Sequence, residues 1–145
     1  MKKFLLTISI IMNATFASAE YEKALKDLEV LAKQGDLATQ IKLASAYREG
    51  LGVPQDYKTA VKWFTLAAEQ GNALAQYNLG RLYYLGQGVT ENIVYAHMWA
   101  NQSSSNGISM GEELTELLTE LMSPAEIKEA RRLENECVNK NYKGC

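Results

Sequence analysis

GDLATQIKLASAYREGLGVPQDYKTAVKWFTLAAEQ, residues 35–70, runs without a break into GNALAQYNLGRLYYLGQGVTENIVYAHMWANQSSSN, residues 71–106, and the second segment repeats the first. Nine positions are identical: Gly35/Gly71, Gln40/Gln76, Leu43/Leu79, Tyr47/Tyr83, Gly50/Gly86, Gly52/Gly88, Val53/Val89, Ala60/Ala96 and Trp63/Trp99. Gly107 extends the same 36-residue spacing once more. A period of this length marks supersecondary units that bury their apolar faces only by stacking, and such arrays present recognition surfaces more often than catalytic clefts.

Each unit reads as helix, glycine loop, helix. Ile41, Leu43, Ala44 and Tyr47 recur near helical spacing. Gly50-Leu51-Gly52-Val53-Pro54 ends that helix, because glycine relaxes the backbone and proline cannot continue the hydrogen-bond ladder. Asp56 caps the next helix, Ala60, Trp63, Phe64 and Ala67 share one of its sides, and Gly71 stops it. The second copy follows with Leu79, Leu82 and Tyr83, the loop Gly86-Gln87-Gly88-Val89, the cap Asn92, then Ala96 and Trp99. Small residues at Ala60, Ala67, Ala68, Gly80 and Ala96 let helices approach closely.

Half-units flank the two copies. Residues 20–34 align with the second helix of a unit, so a lone capping helix is expected there. After Gly107, Leu114, Leu117, Leu118 and Leu121 predict a leucine-striped first-type helix, and Ser123-Pro124-Ala125-Glu126 is a capping box that opens a last helix through Ile127, Ala130, Leu133 and Cys137. Residues 107–145 thus read as a capping helix pair with a tail, and atypical ends are what a solenoid needs to close its apolar faces.

The amino terminus reads as an address. Lys2 and Lys3 precede an apolar run over Phe4 to Ile11, and Ala17-Ser18-Ala19 has the small-residue pattern of a cleavage site, which predicts a signal peptide over residues 1–19 cut between Ala19 and Glu20. The run is too short to span a bilayer. A short signal of this kind suggests a bacterial chain in the periplasm, or secreted. Without Lys2 and Lys3, 13 basic residues face 17 acidic ones. That balance argues against a nucleic-acid or anionic-membrane surface, and no stable membrane insertion is expected after cleavage. The remaining 126 residues suffice for one elongated core.

Cys137 and Cys145 are the only cysteines, and an even count in an exported chain predicts a disulfide. A continuous helix would hold their Cα atoms about 12 Å apart, too far for a bond. The helix should therefore end near Asn139, with Asn141 to Gly144 folding back. No metal set or cofactor site is read: His97 is the sole histidine, no Cys-x-x-Cys occurs, and Gly86-Gln87-Gly88 follows a helix instead of the strand a phosphate loop requires. A lone His97 is expected to be a packed or surface residue, and Glu112, Glu113, Glu116 and Glu120 a solvated helix face.

The run Ala75-Gln76-Tyr77-Asn78-Leu79-Gly80-Arg81-Leu82-Tyr83-Tyr84-Leu85-Gly86-Gln87-Gly88-Val89, then Ala96-His97-Met98-Trp99, resembles the Sel1-like repeat, a relative of the tetratricopeptide repeat. The resemblance covers residues 20 to about 122. Thr39 and Ala44 depart from it, as does Ser103-Ser104-Ser105, which weakens helix propensity and leaves the end of that helix open. The resemblance implies an all-α, right-handed solenoid of antiparallel helix pairs with a concave face lined by first helices. By the same geometry Ile41, Ser45, Arg48, Glu49, Tyr77, Arg81, Tyr84 and Leu85 would face the groove. Tyr77, Arg81 and Tyr84 form the favoured set, at i, i+4 and i+7 with side chains common at binding hot spots. The Cys-x7-Cys spacing also resembles that of cysteine-rich family members, some of which have been assigned β-lactamase activity, yet Ser-x-x-Lys is absent. The expectation is a non-enzymatic adaptor that binds a protein or peptide. An immunity or inhibitor protein for an exported toxin, an envelope-structural piece and a penicillin-processing enzyme are the alternatives.

Overall fold

A computed structural model of the protein describes residues 19–145. The expected leader therefore lies, but for Ala19, outside the described residues. Within them the chain forms seven helices and no strand: α1 over 19–33, α2 over Leu37–Glu49, α3 over Tyr57–Ala68, α4 over Ala73–Leu85, α5 over Ile93–Ser105, α6 over Ser109–Leu121 and α7 over Pro124–Asn139. Neighbours in sequence pack on one another from α2 through α6, and α7 returns onto α5. The fold is an all-α helical repeat solenoid.

Helix ends follow from their capping chemistry. The side chains of Asp36, Asp56, Asn72 and Asn92 each accept a backbone N–H of the first turn, satisfying donors that have no partner within the helix. Gly50 and Gly86 close α2 and α4 in the left-handed conformation. The turn between the helices of a unit is pinned twice over in the same way. The Asp56 amide donates to the Tyr47 carbonyl at 2.8 Å, and the Asn92 amide donates to the Tyr83 carbonyl at 3.0 Å. Ser123 and Glu126 complete the capping box of α7. The serine run does not shorten α5, which continues to Ser105, and the Ser103 hydroxyl donates to the Ala73 carbonyl at 2.8 Å.

The core lies between the units. Trp63, Phe64 and Trp99 are buried against alanines at 32, 60, 67, 68 and 75. Gly80 shows how close the helices come: a methyl there would sit 3.0 Å from the Ala96 carbonyl. A second cluster joins α5, α6 and α7 through Ala96, Ala100, Leu118, Met122 and Ala130. Here the leucine stripe of α6 divides. Leu118 is buried and Leu114 half-buried, while Leu117 and Leu121 are exposed, as are their equivalents one unit earlier, Arg81 and Leu85.

Buried amides stitch one unit to the next. Gln40 Nε2 donates to the Ala32 carbonyl at the end of α1, and Gln76 Nε2 donates to the Ala68 carbonyl at the end of α3. Their own carbonyls accept from the last residue of the same unit, Gln40 Oε1 from Gln70 and Gln76 Oε1 from Asn106, each at 2.8 Å, so each glutamine ties the end of the preceding unit to the end of its own. Donor and acceptor positions in the two sets are 36 residues apart, so the repeated glutamine is an inter-unit clasp.

The chain end is fastened to the same body. Cys137 and Cys145 are bonded with Cα atoms 5.4 Å apart. The Tyr142 amide donates to the Cys137 carbonyl as the chain turns at Asn141 and Tyr142. Tyr142 then lies near Gly71, and the Gly144 amide donates to Glu69 at 2.9 Å. Closing so short a loop contributes about 2.5 kcal/mol by chain entropy.

Replacing Gln76 by leucine keeps the volume but removes two hydrogen bonds, one to the Ala68 carbonyl, which still accepts from the Gly71 amide, and one from Asn106, which still reaches the Tyr142 hydroxyl. The expected loss is about 1–3 kcal/mol in urea unfolding, with an unchanged m-value.

Candidate functional site

The sides of α4 have separate tasks. Ala75, Leu79 and Leu82 are buried. Leu74, Asn78, Arg81 and Leu85, at i, i+4, i+7 and i+11, share another face. Arg81 is exposed, Leu85 is 49% exposed, and the Arg81 guanidinium lies 5.8 Å from the centre of the Tyr77 ring. Beside this face is the end of α2. There the Arg48 guanidinium donates to Asn78 Oδ1 and to the Glu49 carboxylate, 5.7 Å from the centre of the Phe64 ring. Gln55 Nε2 steadies the rim by donating to the Arg48 carbonyl at 2.8 Å and to the Tyr57 hydroxyl at 3.2 Å.

These elements enclose a cleft of about 440 Å³ lined by Arg48, Glu49, Gln55, Tyr57, Asn78, Arg81, Leu85 and Gln87. The volume lies within the range of small-ligand sites, although the lining is unusually polar for one. A fixed guanidinium at Arg48, an outward one at Arg81, a side-chain amide and an apolar side chain suit a peptide segment that offers a carboxylate or carbonyl beside an apolar group.

Four residues read from the sequence, Arg48, Glu49, Arg81 and Leu85, meet at this cleft. Tyr77 reaches it only through its contact with Arg81. Tyr84 packs against the second core cluster, Ile41 packs against the first, and Ser45 is half-buried outside the lining. Asn78, Gln55, Tyr57 and Gln87 line the cleft without having been singled out. Their signal was present in part: a stripe begun at Leu74 instead of Tyr77 passes through Asn78, Arg81 and Leu85. The three loop and helix-start residues carry no helical periodicity that would have marked them.

His97 sits apart, on α5, 5% exposed. Thr119 gives its hydroxyl proton to the Thr115 carbonyl, so Thr119 Oγ1 accepts from His97 Nε2 at 3.0 Å. This arrangement assigns a neutral ring protonated at Nε2 and leaves buried Nδ1 without a partner among the described residues. Desolvation, reinforced by the Arg131 charge, holds the pKa below the ordinary histidine value. Among the described residues no three His, Cys, Asp or Glu side chains gather as metal ligands, and no helix is long and apolar enough to cross a membrane.

A sequence model of the Sel1 repeat matches residues 38–72 and 73–108. Among solved structures, a protective antigen present in uropathogenic Escherichia coli strains, displaying an SLR fold, is 31% identical with a TM-score of 0.78 over 85% of this chain and 27% of its own. A Sel1 repeat protein from Oxalobacter formigenes is 34% identical with a TM-score of 0.61, over 72% of this chain and 43% of its own. The chain therefore spans less than half the length of either. No curated protein sequence matches it.

The unfolded chain binds a proton at His97 near pH 6.5, and the folded chain does so only at lower pH. Stability is therefore full above that value and falls as pH drops from about 7 toward the lowered folded pKa. Melting temperature should decline across this window in the parent chain and stay flatter in His97→Gln. Asp36, Asp56 and Glu126, whose hydrogen bonds lower their pKa values, add a separate loss at more acidic pH.

Proposed function

This chain is a Sel1-like repeat protein, from a family whose repeats generally mediate protein–protein contacts, and we propose on that footing that it is a non-enzymatic adaptor of the bacterial periplasm that docks a protein or peptide partner on its first-type helices. The cleft between α2 and α4 carries this reading. It joins two guanidinium groups, the Asn78 amide and the Leu85 side chain in one recess. Arg48 is already held by Asn78, Glu49 and Phe64, so a ligand that uses it incurs little ordering cost. Arg81 remains outside such a network and supplies the adaptable contact.

Two features support export. Lys2 and Lys3, the apolar run and Ala17-Ser18-Ala19 have the layout of a secretory signal. The Cys137–Cys145 bond is of the kind that persists in oxidising compartments. The tail it closes is fastened to Glu69, so the chemistry of the compartment reaches the junction between the two full repeats.

A photo-crosslinking residue placed at Arg81 should capture one discrete protein in periplasmic extract, and the same residue at Lys128 on the exposed side of α7 should not. Equal capture from both positions would reject the cleft assignment. A chromogenic β-lactam should be hydrolysed no faster than in buffer, and turnover that disappears in Arg81→Ala would overturn the non-enzymatic reading.

A further inference from the structure

Exposed apolar side chains on α4 and α6 repeat at the 36-residue period. Leu74 and Leu85 are 41% and 49% exposed; their equivalents one unit later, Met110 and Leu121, are 43% and 57% exposed. Leu117 takes the place of Arg81 and is 45% exposed. Met110, Leu117 and Leu121 fall at i, i+7 and i+11, on one side of α6. Equivalent positions of successive first-type helices lie side by side: Glu49 and Leu85, one period apart, line the same cleft. Repetition of the unit continues the row from Leu85 to Leu121. Along α6 this row is about 16 Å long, or three helical turns.

The outer side of α6 has the opposite character. Where α4 carries Tyr77, Gly80 and Tyr84, α6 carries Glu113, Glu116 and Glu120. Glu112 adds a fourth carboxylate, and α6 has no lysine or arginine. Among the described residues none of the four pairs with a cation. A further repeat of this chain's own kind would meet charge where α4 offers tyrosine. A second copy stacked end to end is a poor complement as well, because exposed Lys23, Lys26 and Lys33 on α1 alternate with Glu20, Glu22 and Asp27.

We propose that the α4–α6 face docks an amphipathic helix whose apolar side lies on Leu85, Leu117 and Leu121 and whose flank carries lysine or arginine toward Glu113, Glu116 and Glu120. This rests on the docking reading above and names the chemistry of the partner. The apolar row supplies contact area, Met110 adapts to the shape of the incoming side chains, and the unpaired carboxylates select charge and orientation. Helix-in-groove recognition of this type needs only the three or four turns available here.

The test uses a labelled 18-residue model peptide with leucine at i, i+3, i+4 and i+7 flanked by lysine, against full-length protein, read by fluorescence anisotropy at low and high salt. The lysine peptide should bind, and its glutamate-flanked and scrambled counterparts should not. Leu117→Ser with Leu121→Ser should weaken binding at least about tenfold. Glu113→Gln, Glu116→Gln and Glu120→Gln together should weaken it and flatten its salt dependence. Leu28→Ser with Leu31→Ser, on the exposed side of α1, should change nothing. Equal binding of the glutamate peptide, indifference to the α6 variants, or self-association abolished by Leu117→Ser and Leu121→Ser would overturn the proposal. Crosslinking from position 81 that survives the α6 variants, with no selective peptide binding, would overturn this proposal and leave the cleft reading standing. Selective peptide binding without capture at position 81 would do the reverse.

Discussion

The backbone of Gly88 lies against the first residue of α3, and the stacking of the two full repeats depends on that approach. A methyl at Gly88 would stand 2.4 Å from both the carbonyl carbon and the carbonyl oxygen of Tyr57, well inside any permitted contact. The loop of one unit thus rests on the start of the second helix of the unit before it, main chain on main chain. One period earlier the same relation recurs in softer form. Gly52 faces the Tyr21 hydroxyl, which donates to the Gly52 carbonyl. The second glycine of each loop therefore has two duties, a left-handed turn and a surface with no side chain.

From this approach the rest of the packing follows. With the loop in place, alanines at 67, 68, 75, 96 and 100 bring α3, α4 and α5 together, and the two tryptophans fill the space between them. The glutamine clasp then gives a second donor to the helix-end carbonyls of Ala32 and Ala68, which also accept from the Gly35 and Gly71 amides. The array ends where these devices lapse. At the position of Gln40 and Gln76 the third unit has Glu112, whose ionised side chain cannot donate a hydrogen bond. The stacking side of α6 becomes acidic, and the tail bonded through Cys137 and Cys145 turns back to lay the Tyr142 ring beside Gly71, at the junction of the two full repeats.

How much of this could be read in the sequence depended on whether a residue's role was local or relational. Caps, loops and helix order were legible because Asp56, Asn92, Gly50, Gly86 and the capping box at Ser123 each act within a few residues of themselves. The repeated tryptophans announced a core for the same reason. The clasp was visible as the identity Gln40/Gln76 but had no readable role, since its partners lie in neighbouring helices. The cleft was half legible. Arg48, Glu49, Arg81 and Leu85 follow from repeat geometry, whereas starting the stripe at Tyr77 turned it partly toward the core, where Tyr84 is packed. The leucines of α6 misled for a related reason: periodicity marks an apolar side, and only the neighbouring units decide which part of it is covered.

Gly88 and Gly35 separate turn strain from contact between units. Both have positive φ, 76° and 98°, but an added methyl at Gly35 meets nothing within 4 Å. Alanine at either position carries a left-handed penalty of about 1–2 kcal/mol. At Gly88 the collision with Tyr57 should add at least about 1–3 kcal/mol. The deciding measurement is urea unfolding of Gly88→Ala beside Gly35→Ala. The account predicts a clearly larger loss for Gly88→Ala. Equal losses at the two positions would contradict it, because stacking would then not depend on the bare backbone of the loop.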